Sequence, residues 1–214
     1  MTAFAEPACD SAPQLRIASD QSAADLLAAA RAADQFLRAL GVSIDSEGMS
    51  ETPFRMARAF IDMLTPAAFD LTTFPNDENY DELVLARAIP VRSVCEHHML
   101  PFVGVAHVGY LPGERILGLS KLVRVVELFA RRPQIQERLT KQIAHWLQDH
   151  LQPAGVGVVV EAEHMCMSLR GVRAAGNSTI TSTLLGSIRE DPRSRAEFLA
   201  LTSGTPWACG ARHG

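Results

Sequence analysis

From about Leu83 the chain switches between two hydrophobic periods in an order that few folds can use. Leu83 to Ala86 and Ile89 to Val94 read as strand, and Phe102 to Tyr110 reads as a second one. Leu111-Pro112-Gly113-Glu114 then forms a turn into Ile116-Leu117. The period lengthens after that. Ser120 can cap a helix running to about Arg131, and Pro133 punctuates the join. Ile135 to Leu151 places Ile135, Leu139, Ile143, Trp146 and Leu147 at helical spacing. Gly155 to Leu169 and Thr179 to Leu185 return to strand. The order strand, strand, helix, helix, strand, strand (ββααββ) predicts an antiparallel four-stranded sheet with two helices on one face, an α+β arrangement. Such a sheet leaves two open edges. Open edges are covered, charged or paired, so association through strands is expected.

The flanks read differently. Residues 1–21 carry Pro7 and Pro13 without periodicity and are expected to be a flexible arm. Residues 22–80 are expected to be an N-terminal helical extension. Ser22 can cap a first helix to Leu40, with Asp25 completing the start and Gly41 ending it. Leu26, Ala30, Ala33, Leu37 and Leu40 form its stripe. Thr52-Pro53 opens a second helix, with Thr as cap, and Thr65-Pro66 stops it. The main α+β domain is expected over 81–203, closing with a helix from Asp191-Pro192, and a flexible tail over 204–214.

Bulk properties exclude little. The chain has 214 residues, long enough for one domain with an extension, and a formal net charge of −4 argues against a general nucleic-acid binder. No apolar run is long enough to span a bilayer. No secretory signal is apparent, so a cytoplasmic location is the default. The cysteines then read as thiols or metal ligands rather than a disulfide framework. Cys9 and Cys209 carry no metal spacing.

Three clusters carry chemistry. Cys95-Glu96-His97-His98 contains a Cys-x-x-His zinc half-site, and Cys166 gives a third ligand far downstream. A missing fourth ligand is the pattern of a catalytic zinc that keeps a position open for water. A closed structural site would need a second Cys/His pair, which is missing. Period two would set His164, Cys166, Ser168 and Arg170 on one strand face. Gly118-Leu119-Ser120-Lys121-Leu122-Val123-Arg124 starts a helix, where free N–H groups and two cations three residues apart suit an anion, phosphate being the usual one. Arg170 and Arg173 add positive charge. A solvated basic edge would explain the helix start alone just as well, and the added arginines tip the balance towards an anion site. Gln136-Glu137 opens the next helix. There a carboxylate is normally just a dipole partner, although it can also accept two donors from a guanine edge. His107 and His145 show no partner signal and read as structural or solvated.

Four motifs together resemble GTP cyclohydrolase I. They are Cys95-Glu96-His97-His98-Met99-Leu100-Pro101-Phe102, Gly118 to Arg124, Arg132 to Thr140, and His164-Met165-Cys166-Met167-x-Leu169-Arg170-Gly171-Val172-Arg173. Thr52-Pro53-x-Arg55 resembles that family's N-terminal helical motif. The resemblance implies a tunnelling fold and a decamer of two pentamers with active sites between subunits. It implies opening of the guanine imidazole ring of GTP, release of formate and closure to 7,8-dihydroneopterin triphosphate, the first step of pterin biosynthesis. It implies Zn2+ on Cys95, His98 and Cys166, and proton transfer by His97 and His164. Glu137 would hold the guanine with the backbone near Gln136. Ser120, Lys121, Arg124 and Arg170 would hold ribose and triphosphate, and Arg55 would reach a neighbouring subunit's phosphates. Another tunnelling-fold enzyme would carry a different set from Lys121, Arg124 and Glu137. A zinc protein that had lost catalysis would be expected to lack His97 or His164. A phosphate-cleaving GTPase would need a Gly-rich phosphate loop, which this sequence lacks.

Overall fold

The computed structural model describes residues 16–17 and 24–203. The expected arm and tail, with Cys9, Ser22 and Cys209, lie outside the described residues, apart from Arg16 and Ile17. In chain order the elements are β1 (Arg16–Ile17), α1 (Leu26–Ala39), α2 (Thr52–Leu64), β2 (Phe69–Asp70), β3 (Thr73–Pro75), β4 (Val84–Cys95), β5 (Pro101–Leu111) and β6 (Arg115–Leu117). There follow α3 (Leu119–Ala130), β7 (Pro133–Gln134), α4 (Gln136–Leu151), β8 (Gly155–His164), α5 (Met165–Ser168), β9 (Ser178–Gly186), α6 (Ser187–Glu190) and α7 (Pro192–Thr202). The fold is mixed α+β.

The central sheet has the order β7-β4-β5-β8-β9, so it has five strands rather than the expected four. The extra one, β7, pairs Pro133 and Gln134 in parallel with Val94 and Cys95. A two-residue strand cannot show an alternation, so no hydrophobic period announces it. The long strands are antiparallel and in register from Val94↔Pro101 to Val84↔Tyr110 and from Phe102↔His164 to Leu111↔Gly155. β4 and β5 slip between Ala86 and Ile89, where Ala88 takes a positive φ of 54°. That is the bulge that divides the two apolar runs seen in the sequence.

One sheet face holds the core. Ala106, Val108 and Tyr110 of β5 and Val156, Val158, Val160 and Ala162 of β8 pack on Leu122, Val125 and Val126 of α3 and Leu139, Ile143 and Leu147 of α4, all fully buried. Each large aliphatic side chain buried this way contributes ~1.5–3 kcal/mol. The expectation of helices on one face only is incomplete. Gly109 and Gly157 pair across β5 and β8 on the opposite face, and Phe198 of α7 fills the hollow they leave. A Cβ on Gly157 would stand 2.7 Å from that ring.

The N-terminal helices form as the stripes predict, with shifted starts. Asp25, rather than Ser22, caps α1 by accepting from the Ala28 N–H at 2.9 Å. In α2 the cap position is Glu51, one residue before Thr52, and no side chain closes it. Between α1 and α2 lies an apolar hollow of about 700 Å³, lined by Phe36, Met56, Phe60, Ile61 and Leu64. No helix among the described residues is long and apolar enough to cross a membrane.

Candidate functional site

The Cys95–His98 half-site sits on the hairpin between β4 and β5. The Cys95 N–H donates to Leu100 O at 2.8 Å, and the Met99 N–H returns to Cys95 O at 2.8 Å. Met99 closes this turn with a φ of 53°. The fold ties the turn down from below. The Glu96 N–H donates to Gln134 O at 3.0 Å, continuing the β7 pairing. Arg138 of α4 forms an ion pair with Glu96 and donates to Gln134 Oε1 at 2.9 Å. The half-site is therefore coupled to the first turns of α4. Sequence reasoning assigned no role to Glu96 or Arg138, because their contact depends on a pairing too short to read.

The second half of the site departs from expectation. β8 ends at His164, and Met165–Ser168 forms a single helical turn instead of continuing as strand to Leu169. The period-two placement of His164, Cys166, Ser168 and Arg170 on one strand face therefore does not hold. The turn nevertheless brings Cys166 to the half-site. Ligand atoms of Cys95, His98 and Cys166 all lie within 4.8 Å of one another. His97 presents Nδ1 at 3.9 Å from the Cys95 sulfur but stays outside that cluster, with its side chain 65% exposed.

Burial pushes the Cys166 thiol up, the neighbouring Cys95 sulfur pushes it further, and Arg170 pulls it down. Two sulfurs this close resist ionising together unless a cation lies between them. Two thiols and an imidazole are a borderline-soft donor set that suits zinc with one position open.

His164 stands opposite Phe102 across the sheet, and their rings stack at 4.6 Å. Its Nε2 lies 2.8 Å from Gln136 Oε1. The Gln136 amide is oriented by its other end, where Nε2 donates to Val160 O at 3.0 Å and Thr179 O at 2.8 Å. Oε1 can only accept, so His164 carries its proton on Nε2 and keeps a lone pair on Nδ1. Burial lowers the pKa of His164, while the nearby Glu137 raises it. Glu137 itself is exposed in the first turn of α4. The Gln136 side chain is buried and fully engaged, which leaves only its backbone for a ligand. Its service to His164 was not legible in the sequence.

The expected anion cluster is not beside this site in one chain. The metal-type residues occupy the end of the sheet where β4 finishes and β5 begins. β6 and the start of α3 occupy the other end, pinned where the Leu117 N–H donates to Tyr110 Oη at 2.9 Å. At ~3.3 Å per residue, the 11 residues of β5 separate the two ends by roughly 30 Å. Ser120 and Lys121 lie at the far end, exposed and half-buried respectively. Arg124, one turn on, pairs with Glu127 at 3.3 Å. Ser120 does not cap α3. Gly118 holds that position, and no side chain closes it. Arg170 stays with Cys166, so it does not join Lys121 within one chain as expected. Arg55 on α2 donates to Gly48 O at 3.0 Å and Thr52 Oγ1 at 3.2 Å. His107 is buried rather than solvated, with Nδ1 lacking a partner among the described residues, and His145 is exposed on α4.

The sequence matches the family described as GTP cyclohydrolase I over residues 29–203. It is 50% identical over 169 residues to GTP cyclohydrolase 1 of Aquifex aeolicus, covering 79% of this chain and 92% of that one. It is 50% identical over 186 residues to GTP cyclohydrolase 1 of Mycobacteroides abscessus, covering 85% and 91%. The rat enzyme of the same name is 49% identical over 183 residues, covering 80% and 73%.

Proposed function

The chain belongs to the GTP cyclohydrolase I family, and from its site we propose a zinc-dependent reaction carried out between subunits. The reaction opens the guanine imidazole ring of GTP, releases formate, rearranges the ribose and closes the ring of 7,8-dihydroneopterin triphosphate, at the start of tetrahydrofolate and pterin synthesis. The core is the tunnelling fold. Residues 22–80 form its helical extension and 81–203 its catalytic domain.

The observation that carries the reading is the Cys95, His98 and Cys166 cluster beside His164. These three residues would hold zinc, which when bound supplies Lewis-acid activation of water near neutral pH. His97, exposed at the rim, protonates the purine at N7 as the ring opens. His164 takes and returns a proton at Nδ1, held in that tautomer by Gln136. Glu137 accepts from guanine N1–H and its exocyclic amine, and so orients the ring. Arg170 balances charge beside Cys166 and reaches the phosphates. Ser120, Lys121 and Arg124 bind the triphosphate of a GTP held mainly by another chain. Their distance from the sulfur cluster within one chain supports this. Arg55 reaches a neighbouring subunit's phosphates. The assembly is a decamer of two pentamers, supported by the open edges of the sheet and the apolar α1–α2 hollow.

The test is incubation of purified protein with GTP, reading formate and a fluorescent pterin after oxidation. Chelation should abolish both while far-UV dichroism stays native. Unfolding of the metal-free protein would show a structural site and overturn the zinc assignment.

A further inference from the structure

The excursion from β8 to β9 carries both Cys166 and Arg170, yet its ends are joined by a residue outside the reaction. Glu163 is the last β8 residue paired with β9, opposite Ser178. Strand alternation turns its side chain to the face away from His164, so it does not approach the reacting atoms. It is 5% exposed. Its Oε1 accepts from Ser168 Oγ at 2.5 Å and from the Gly176 N–H at 3.0 Å. Ser168 closes the helical turn that presents Cys166, and Gly176 lies just before β9 begins. One carboxylate oxygen therefore holds both ends of the excursion.

The backbone between them needs such a tie. Gly171, Arg173 and Gly176 all take positive φ, at 62°, 52° and 78°. Its internal backbone bonds are few: Leu169 N–H to Met165 O at 3.0 Å, Arg173 N–H to Arg170 O at 3.3 Å, Ala174 N–H to Met167 O at 3.1 Å and Asn177 N–H to Ala174 O at 3.2 Å. Residues 169–173 are exposed. Nothing stands within 4 Å of a Cβ built on Gly176, so that glycine serves its φ, which aims its N–H at Glu163. Bonds to a carboxylate are the stronger kind, and shared convergence on one oxygen fixes the two donors relative to each other.

We propose that Glu163 is a positioning residue: it clasps the 164–177 excursion so that Cys166 and Arg170 are presented together, one to the metal and the other to substrate phosphate. The inference rests on the assignment of Cys166 as a ligand. It predicts coupled loss of two properties that the sequence separates, metal retention and GTP affinity.

The experiment uses the full-length protein with Glu163→Ala, Glu163→Gln, Ser168→Ala and Cys166→Ala. Three quantities are read: the rate of zinc release to a chromogenic chelator, KM against kcat for GTP, and the alkylation rate of Cys166 after metal removal. Glu163→Ala should speed zinc release about tenfold, raise KM more than it lowers kcat, and speed alkylation of the metal-free thiol. Ser168→Ala should move all three in the same direction by less, because one bond remains. Glu163→Gln keeps an oxygen that can accept both bonds and should restore most of the behaviour. Wild-type zinc release and KM in both Glu163→Ala and Ser168→Ala would overturn the clasp. So would a Glu163→Gln variant as impaired as Glu163→Ala. If Glu163→Ala proves insoluble, wild-type zinc release and KM in Ser168→Ala alone overturn the clasp. Cys166→Ala separates the two claims. Tight zinc in that variant would refute the ligand assignment itself, whereas lost zinc there with unaffected Glu163 variants would refute only the clasp.

Discussion

Adjacent histidines at the hairpin tip take different positions relative to the two sulfurs. His98 joins Cys95 and Cys166 within 4.8 Å, and His97 does not. His98→Ala should therefore lose zinc by atomic absorption. His97→Ala should keep it and bind GTP, yet lose most of kcat. The reverse pattern would swap the two roles. Gln136 offers a second test at this scale. Replacing it by Leu frees the His164 ring and removes the acceptor that fixes its proton on Nε2. We expect kcat to fall about a hundredfold with zinc content unchanged, within the range that one positioned proton-transfer group supplies. An unaltered kcat would remove the tautomer argument. The Cys95–His98 pair was legible in the sequence because Cys-x-x-His spacing is local, whereas the service of Gln136 was not. Its amide meets Val160, Thr179 and His164 only after α4, β8 and β9 are assembled, and no spacing within α4 encodes that.

At the scale of elements, the long strands and helices were readable from hydrophobic period, and the short pieces were not. β7 has two residues, and α5 a single turn, so neither offers a period to detect. The α5 turn reversed a whole placement, since it moved Cys166 off the strand face on which alternation had set it. Helix starts were misread for a related reason. Ser, Thr and Asp are all acceptable caps, so the sequence named Ser120 and Thr52, where the backbone uses Gly118 and Glu51. Asp191 was read correctly and is testable. It accepts from the Arg193 and Ser194 N–H groups and from Ser194 Oγ, and the Ser194 bonds most of all hold its carboxyl below the usual range. A depressed folded pKa contributes stability above the unfolded value and loses it as pH falls through the folded one. Asp191→Ala should thus lower Tm at neutral pH, and the gap to wild type should close in acid. A constant gap would deny the charge its part. Gly157→Ala tests how α7 docks. Its new methyl would meet three Phe198 ring atoms at 2.7–2.8 Å, an overpacking that costs about 1–3 kcal/mol. Denaturant titration should show that loss, with part of it regained when Phe198 is also changed to Leu. Wild-type stability in Gly157→Ala would mean the ring is free to move aside.

Considered as a whole molecule, one chain sets two clusters of candidate site residues at opposite ends of its sheet. The sulfur cluster, His164 and Glu137 stand at one end, and Ser120 and Lys121 at the other. The central claim is that a working site takes one end from each of two chains. It can be tested by co-assembling two defective variants. Cys166→Ala lacks a metal ligand, and the double variant Lys121→Ala/Arg124→Ala lacks the phosphate cations. Each alone should turn over GTP poorly. Mixed by joint refolding or co-expression, they should form particles near ten chains by light scattering, in which some sites draw both intact ends from different partners. Random mixing across a head-to-tail interface should restore about a quarter of wild-type pterin formation. Activity no greater than the sum of the two variants in verified mixed particles, or a fully active wild-type monomer, would contradict the account.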